Sequence, residues 1–249
     1  GLEQNLKFHP EGDVWTHTMM VLDRSAHFRS CVSDPYAFML LALTHDFGKI
    51  TATEFVNGAI HAYGHELQGV EIAERFLDRV CQGSDIKRYI GNMLPNHMRP
   101  NKIAEARSAV KKTNRMFDDA IAPIDLIYFA ICDKPKLLHL DAHSLSMASN
   151  EPHESLDNVS RKSEFYTYEE KLKEQERVNF LFERLDLYRD MMSRPYVTGK
   201  DLIDSGITPD NDFGTILNYA HKLRLAGVPK DNALKQTLSY ARKLRKNIK

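Results

Sequence analysis

Apolar residues recur at helical spacing along most of the chain and almost nowhere alternate as a half-buried strand requires. Val14, Met20 and Val21 mark one face of a helix predicted over 13–29, with Asp13 as its N-cap. A second helix begins with Asp34 as cap and Pro35 at its first position, runs through the apolar stretch 38–43, and is predicted to stop at Gly48. Residues 51–63 carry Asn57-Gly58, the signal of a loop or short hairpin. A third helix opens at Gly64-His65-Glu66, and Leu67, Val70, Ala73, Phe76, Leu77 and Val80 give it one broad apolar face. Ser84 is the predicted cap of a fourth, which Pro95 ends just before 96–100. Further helices are predicted over 102–119 and 123–133, the latter closed by Pro135.

From 136 to about 167 the periodicity dissolves into Ser, His, Asn, Asp and Glu, which predicts a long loop or lid over 136–164 with His139, His143 and His153 on its surface. A long charged helix follows over 168–192. The last block differs in character: Thr198-Gly199-Lys200-Asp201 starts a short helix, Gly206 ends it, and two amphipathic helices complete the chain. The fold class is therefore all-α, a helical bundle over 1–192 followed by a small helical segment over 193–249.

Composition narrows the class. The 249 residues are 42% hydrophobic and 27% charged, as in ordinary globular proteins. No apolar run approaches the roughly 20 residues of a membrane span, and no secretory h-region opens the chain, so a cytoplasmic protein without membrane contact is expected. Cys31, Cys81 and Cys132 are far apart and in apolar helical contexts, which predicts reduced core thiols. The formal net charge is +0, yet 235–249 carries Lys and Arg without an acid and 99–115 is nearly as one-sided. Solvated helix faces explain such runs, and nucleic-acid contacts are the functional alternative.

The candidate chemistry centres on Leu43-Thr44-His45-Asp46-Phe47-Gly48-Lys49. Adjacent helical residues point about 100° apart, so His45 and Asp46 converge only on a point beyond the helix end, such as a metal ion. An anion at a helix C-terminus also opposes the helix dipole. Asp46 has this problem at the end of one apolar helix and Asp133 at the end of another, and a cation solves it for both. With His17, His65 and His97 the set mixes imidazole and carboxylate, which suits divalent Mn, Fe, Co, Ni or Zn and not a thiolate site. These ligands suffice for one ion, or for two about 3.5 to 4 Å apart that clamp a phosphoryl group and activate a water. No Walker loop, dinucleotide fingerprint or nucleophile elbow is present.

His17, His45-Asp46 and Asp133 together resemble the signature of the HD superfamily of metal-dependent phosphohydrolases. The likeness is greatest to the HD domain in the C-terminal half of bacterial CCA-adding tRNA nucleotidyltransferases. It is carried by HPEGDVWTHTMMVLD (9–23), LTHDFGK (43–49), YGHELQGVEIAERFL (63–77), NHMRP (96–100) and the tail 197–220. The nucleotidyltransferase head of that family is not in this sequence, so the chain is expected to be an excised domain or a stand-alone relative.

The resemblance implies phosphatase and phosphodiesterase activity on nucleotides or RNA ends, including 2′,3′-cyclic phosphates and 2′-phosphates, with Mg among the possible metals. It implies metal ligation by His17, His45, Asp46 and Asp133, with His65 and His97 serving a second metal or the phosphate. Lys49 and Arg99 are expected to neutralise phosphate charge, and Glu66 to orient water or protonate the leaving oxygen, beside a catalytic Asp46. A rival reading is the RNA-binding half of a nucleotidyltransferase, gripping tRNA phosphates without turnover of its own. A nucleotide-binding regulatory module is a third.

Overall fold

The computed structural model describes residues 1–81, 83–134 and 167–246. The predicted loop or lid and its three histidines lie outside them. Among the described residues the regular elements are helices apart from one two-stranded hairpin, so the fold is all-α. None of its helices is long and apolar enough to cross a membrane. It divides into two compact units, one of residues 1–107 and 118–182, the other of residues 108–117 and 183–249.

In the first unit, α1 (Val14–His27) starts where Asp13 accepts hydrogen bonds from the amides of Trp15 and Thr16. A 3₁₀ turn leads to α2 (Pro35–Thr44), capped by Asp34 and opened by Pro35. Nearly every residue of α2 is apolar, which requires cover on all sides. α1, α5 (Ser84–Met93) and α8 (Pro123–Cys132) supply it, and Phe38, Leu41, Ile90, Met93, Leu126 and Phe129 fill the shared core. One buried acid in that core, Asp125, accepts hydrogen bonds from the Ser33 amide, the Ser33 hydroxyl and the Tyr89 hydroxyl.

The 51–63 stretch is the hairpin, β1 (Thr53–Val56) against β2 (Ala59–Ala62), antiparallel with Val56 opposite Ala59. Asn57 and Gly58 both have positive φ, 52° and 80°, as a two-residue turn of that hand demands. α4 (His65–Val80) follows, entered through left-handed Gly64.

Four sequence expectations change. Gly48 is not a helix stopper: its φ is −65°, and it leads straight into the short α3 (Lys49–Ala52). Its use is steric. A Cβ at Gly48 would run into the backbone carbonyl of His65 and the amide of Gly69, so α4 packs on this turn backbone to backbone. The single helix expected over 102–119 is two, α6 (Arg99–Glu105) and α7 (Val110–Asp119), parted at Arg107 with φ 45°. No glycine marks that break. Ser84 is the first helical residue and makes no capping bond, and of the three cysteines Cys132 alone is buried.

In the second unit, the C-terminal part of α9 (Tyr168–Ser193) precedes α10 (Gly199–Asp204), α11 (Phe213–Leu225) and α12 (Lys230–Lys246). Thr198 and Asp201 form the reciprocal capping box that starts α10, and Gly206 ends it with φ 85°. Leu202, Ile207, Ile216 and Ala241 are its core. The Arg224 guanidinium donates to the carbonyls of Met191, Met192 and Arg194, satisfying the open end of α9.

Gly48→Ala should destabilise the protein by about 1 to 3 kcal/mol, because the added methyl meets backbone that cannot rotate away. Urea unfolding measures this, and a loss below about 0.5 kcal/mol would place the close approach in error.

Candidate metal centre

α2 ends at Thr44, His45 is its C-cap, and Asp46 follows at once. Asp133 is likewise the C-cap of α8. His17 lies one turn into α1, His65 is the first residue of α4, and His97 caps the 3₁₀ turn Leu94–Asn96. Five separate elements thus each bring one or two polar side chains to the same interior point.

Asp46 is the hub. Its Oδ2 lies 3.3 Å from His45 Nε2, 3.8 Å from His17 Nε2 and 2.8 Å from Lys49 Nζ, and its Oδ1 lies 3.3 Å from His65 Nε2. Asp133 Oδ1 is 3.0 Å from His17 Nε2 and 3.5 Å from His45 Nε2. The ligand atoms of His17, His45 and Asp46 lie within 4.8 Å of one another, as do those of Asp46, His65 and His97. The structure therefore brings together all six predicted ligands and Lys49.

The outer ring nitrogens explain the orientation. Nδ1 of His45, His65 and His97 each meets the carbonyl three residues earlier, Ala42, Ala62 and Leu94, at 2.9, 2.8 and 2.6 Å. Donation from Nδ1 leaves Nε2 as the lone-pair nitrogen, turned inward, which is how metal-ligating histidines are held. His17 is held by a side chain instead: Glu11 Oε1 is 2.6 Å from its Nδ1 and 3.0 Å from His9 Nδ1. Glu11 and His9 are not among the residues the sequence points to. They belong to a loop in which residues 2–4 pair back on 12–14, with Gln4 N donating to Gly12 O and Val14 N to Leu2 O. The same loop brings Gln4 Oε1 to 2.6 Å from Lys49 Nζ. Its Pro and Gly content predicts irregular chain, and the one available signal is the nearness of Glu11 to His17 in sequence.

Two predicted residues stay outside the cluster. Arg99 donates to Asn96 at 2.6 Å and pairs with Asp119 at 3.0 Å. Glu66 lies 3.7 Å from Nδ1 of His65, on the side of that ring away from the cluster.

The donor set fits a divalent cation. Nε2 of His45 and His65 and Oδ2 of Asp46 are buried and make no hydrogen bond of good geometry, though oppositely charged atoms stand 2.8 to 3.8 Å away. Atoms that converge on a shared point instead of on one another behave as ligands, and nitrogen and oxygen donors without sulfur match Mn, Fe, Co, Ni or Zn. Without a metal, protons take the cation's place. Burial works against the charge on His45, but Asp46 and Asp133 outweigh it and push this imidazole up to about 10. His17 is also raised against burial, by Asp133 and Glu11. Asp46 and Asp133 are held well below 3.8, since their histidine neighbours overcome the penalty of burial. Burial and the charge on His45 drive His97 down to about 4. Glu11, whose burial is offset by its bonds to His17 and His9, is lowered to about 2.

The fold and this cluster define an all-α protein with a buried histidine and aspartate centre suited to metal. Comparison with known proteins adds a relationship. Over 108 residues the chain is 32% identical to the Multifunctional CCA protein of Actinobacillus pleuropneumoniae serotype 5b (strain L20), an alignment covering 43% of this chain and 26% of that protein. It is 32% identical over 109 residues to that of Methylobacillus flagellatus and 32% over 120 residues to that of Pasteurella multocida (strain Pm70), covering 44% and 47% of this chain and 25% and 28% of the relatives. The chain thus spans about a quarter of the length of the curated relatives it matches. No family model and no solved structure matches it.

Glu11→Gln should weaken metal binding by about 10- to 100-fold while leaving the circular dichroism unchanged, because it removes the charge that holds His17. Equal affinity by calorimetry would reduce Glu11 to packing.

The metal-free protein has its own pH signature. The share of stability from His45 is complete below its ordinary 6.5 and is lost as pH rises towards about 10. Those of Asp46 and Asp133 are present above 3.8 and are lost as acid protonates them. Glu11 adds a share that is complete only above 4.5, and His97, held down at about 4, makes stability fall as pH drops from 6.5. Melting in chelator should therefore peak near pH 6.5, and a midpoint that climbs steadily above that value would contradict the proton-balanced cluster.

Proposed function

We propose that the chain is the metal-holding helical portion of a CCA-type protein with an HD-superfamily centre. In this reading its cluster hydrolyses phosphoesters of nucleotides or RNA ends, 2′,3′-cyclic phosphates and 2′-phosphates among them. The convergence of His17, His45, Asp46, His65, His97 and Asp133, every ring held so that Nε2 faces inward, carries the reading. Phosphoester hydrolysis is the chemistry such donors serve, since a bound divalent ion polarises the phosphoryl oxygens and brings a water towards neutrality of its pKa.

The chain's own residues supply the rest. Asp46, His45, His17 and Asp133 would hold one ion, and Asp46, His65 and His97 would serve a second. Lys49, buried against Asp46 and Gln4, puts an ammonium group at the cluster that favours an anionic substrate there. Glu66 acts through His65, whose outer nitrogen it faces, and not as the proton donor. Arg99 must leave Asp119 to reach any phosphate, so it is assigned to the approach and not to the reacting atoms.

The comparisons favour a second reading more directly: an RNA-binding part of a CCA-type protein with no turnover of its own. A cavity of about 190 Å³ in the second unit, bounded by Lys111, Arg115 and Lys222, supports it, because three cations around one hollow suit a phosphate.

Metal analysis and a screen of nucleotide phosphoesters with Mn, Ni, Co and Mg separate the two. Asp46→Ala should lose metal and turnover together while keeping its helicity. Hydrolysis that survives this substitution excludes the cluster, and tight, salt-sensitive tRNA binding without any hydrolysis establishes the second reading.

A further inference from the structure

A groove of about 190 Å³ runs along the first unit beside the cluster. Val14, Trp15, Leu43, Phe47 and Ile50 bound it together with Thr18, whose hydroxyl is already given to the Val14 carbonyl, and Asp46 also lines it. Asp46 thus belongs to both groove and cluster, so whatever fills one abuts the other. Two of these side chains are largely exposed, Trp15 at 63% and Ile50 at 68%. A large apolar ring left in water beside a polar centre marks a contact surface.

The chemistry of the walls selects the occupant. A phosphate or a bare sugar would lose hydration there and find almost no donor or acceptor in return. A planar ring with apolar faces and polar edges suits it, with faces against the side chains and edges still in water.

We propose that the groove holds the heterocyclic base of a nucleotide whose phosphate lies at the Asp46 cluster, and that the Trp15 indole is the face on which that base stacks. The inference rests on the phosphoester reading of the cluster, which already names nucleotides, and adds to it the surface that holds their base and so sets them above phosphate esters without one. Since the walls offer no set of donors and acceptors to read a base edge, recognition is of a base as such, and purines and pyrimidines are both accepted.

Trp15 is the single tryptophan of the chain, so its emission reports the groove directly. The Mg-loaded chain is titrated with 2′-AMP, 2′-CMP and ribose 5-phosphate, following emission and, separately, heat. Both nucleotides should quench Trp15 saturably and ribose 5-phosphate should not. Trp15→Ala should raise the nucleotide dissociation constant about fivefold to a hundredfold, the range of one base–aromatic stack, and so shrink the preference over ribose 5-phosphate. Ile50→Ala, at another exposed wall position, should shrink the same preference to a lesser degree.

Absence of quenching, or a Trp15→Ala loss equal for nucleotide and ribose 5-phosphate, overturns the base site. If phosphoesters are hydrolysed with or without a base at equal rates and nothing quenches, the base site fails while the hydrolase reading stands. If nucleotides quench Trp15 and none is hydrolysed, the base site stands and the hydrolase reading fails.

Discussion

Burying Asp46 is the constraint on which the first unit depends. An ionised carboxylate inside a protein is tolerable only when neighbours replace the water it lost, and unpaired it would shed its charge or unfold its surroundings. Asp46 is 2% exposed, and its neighbours are His45, His65, His17 and Lys49. Supplying them dictates much of the architecture. α1 must pass close enough to offer His17, α4 must begin at the cluster, and the close backbone approach at Gly48 and Gly69 is what lets it. Phe129 closes the apolar side, its ring 5.3 Å from that of His45 and 6.0 Å from that of His97.

Much of this is legible in the order of the residues alone. The caps Asp13 and Asp34, the Asn57-Gly58 turn, the Thr198 and Asp201 box and the left-handed Gly206 are local devices, each needing only a few neighbouring residues, and each is where the sequence places it. The two carboxylates at helix C-termini are legible for the same reason, since a charge opposed to a helix dipole is visible in one segment. Non-local facts stay hidden. Gly48 reads as punctuation because the carbonyl it must not strike belongs to His65, in another element. The break at Arg107 carries no glycine, and a periodic apolar pattern on both sides hides it.

The N-terminal loop shows the same limit within the site. Pro10 and Gly12 mark irregular chain, and irregular chain gives no periodicity from which to predict a face. Yet its backbone bonds fix Glu11 on the outer nitrogen of His17 and Gln4 on Lys49. The other imidazoles are oriented by carbonyls three residues back, a contact each helix or turn end supplies by itself. His17 lies inside α1, where backbone carbonyls are occupied by the helix, so its outer nitrogen needs a partner from elsewhere. Position within the helix thus explains why the outer nitrogen of this histidine is hydrogen-bonded to a carboxylate, where those of His45, His65 and His97 meet a carbonyl.

The two kinds of buried acid in the first unit separate support from chemistry. Asp125 is held by neutral donors, one amide and two hydroxyls. Asp46 and Asp133 are settled by imidazoles, whose positive charge is a proton that can leave. A carboxylate balanced by exchangeable protons is one that a cation can claim, because each proton displaced turns an imidazolium back into a lone-pair donor. Lys49 adds a contact of another kind, an ammonium 2.8 Å from Asp46 Oδ2 that Gln4 holds from its other side. A scaffold built only for stability would have used the Asp125 solution throughout, at lower cost in buried charge.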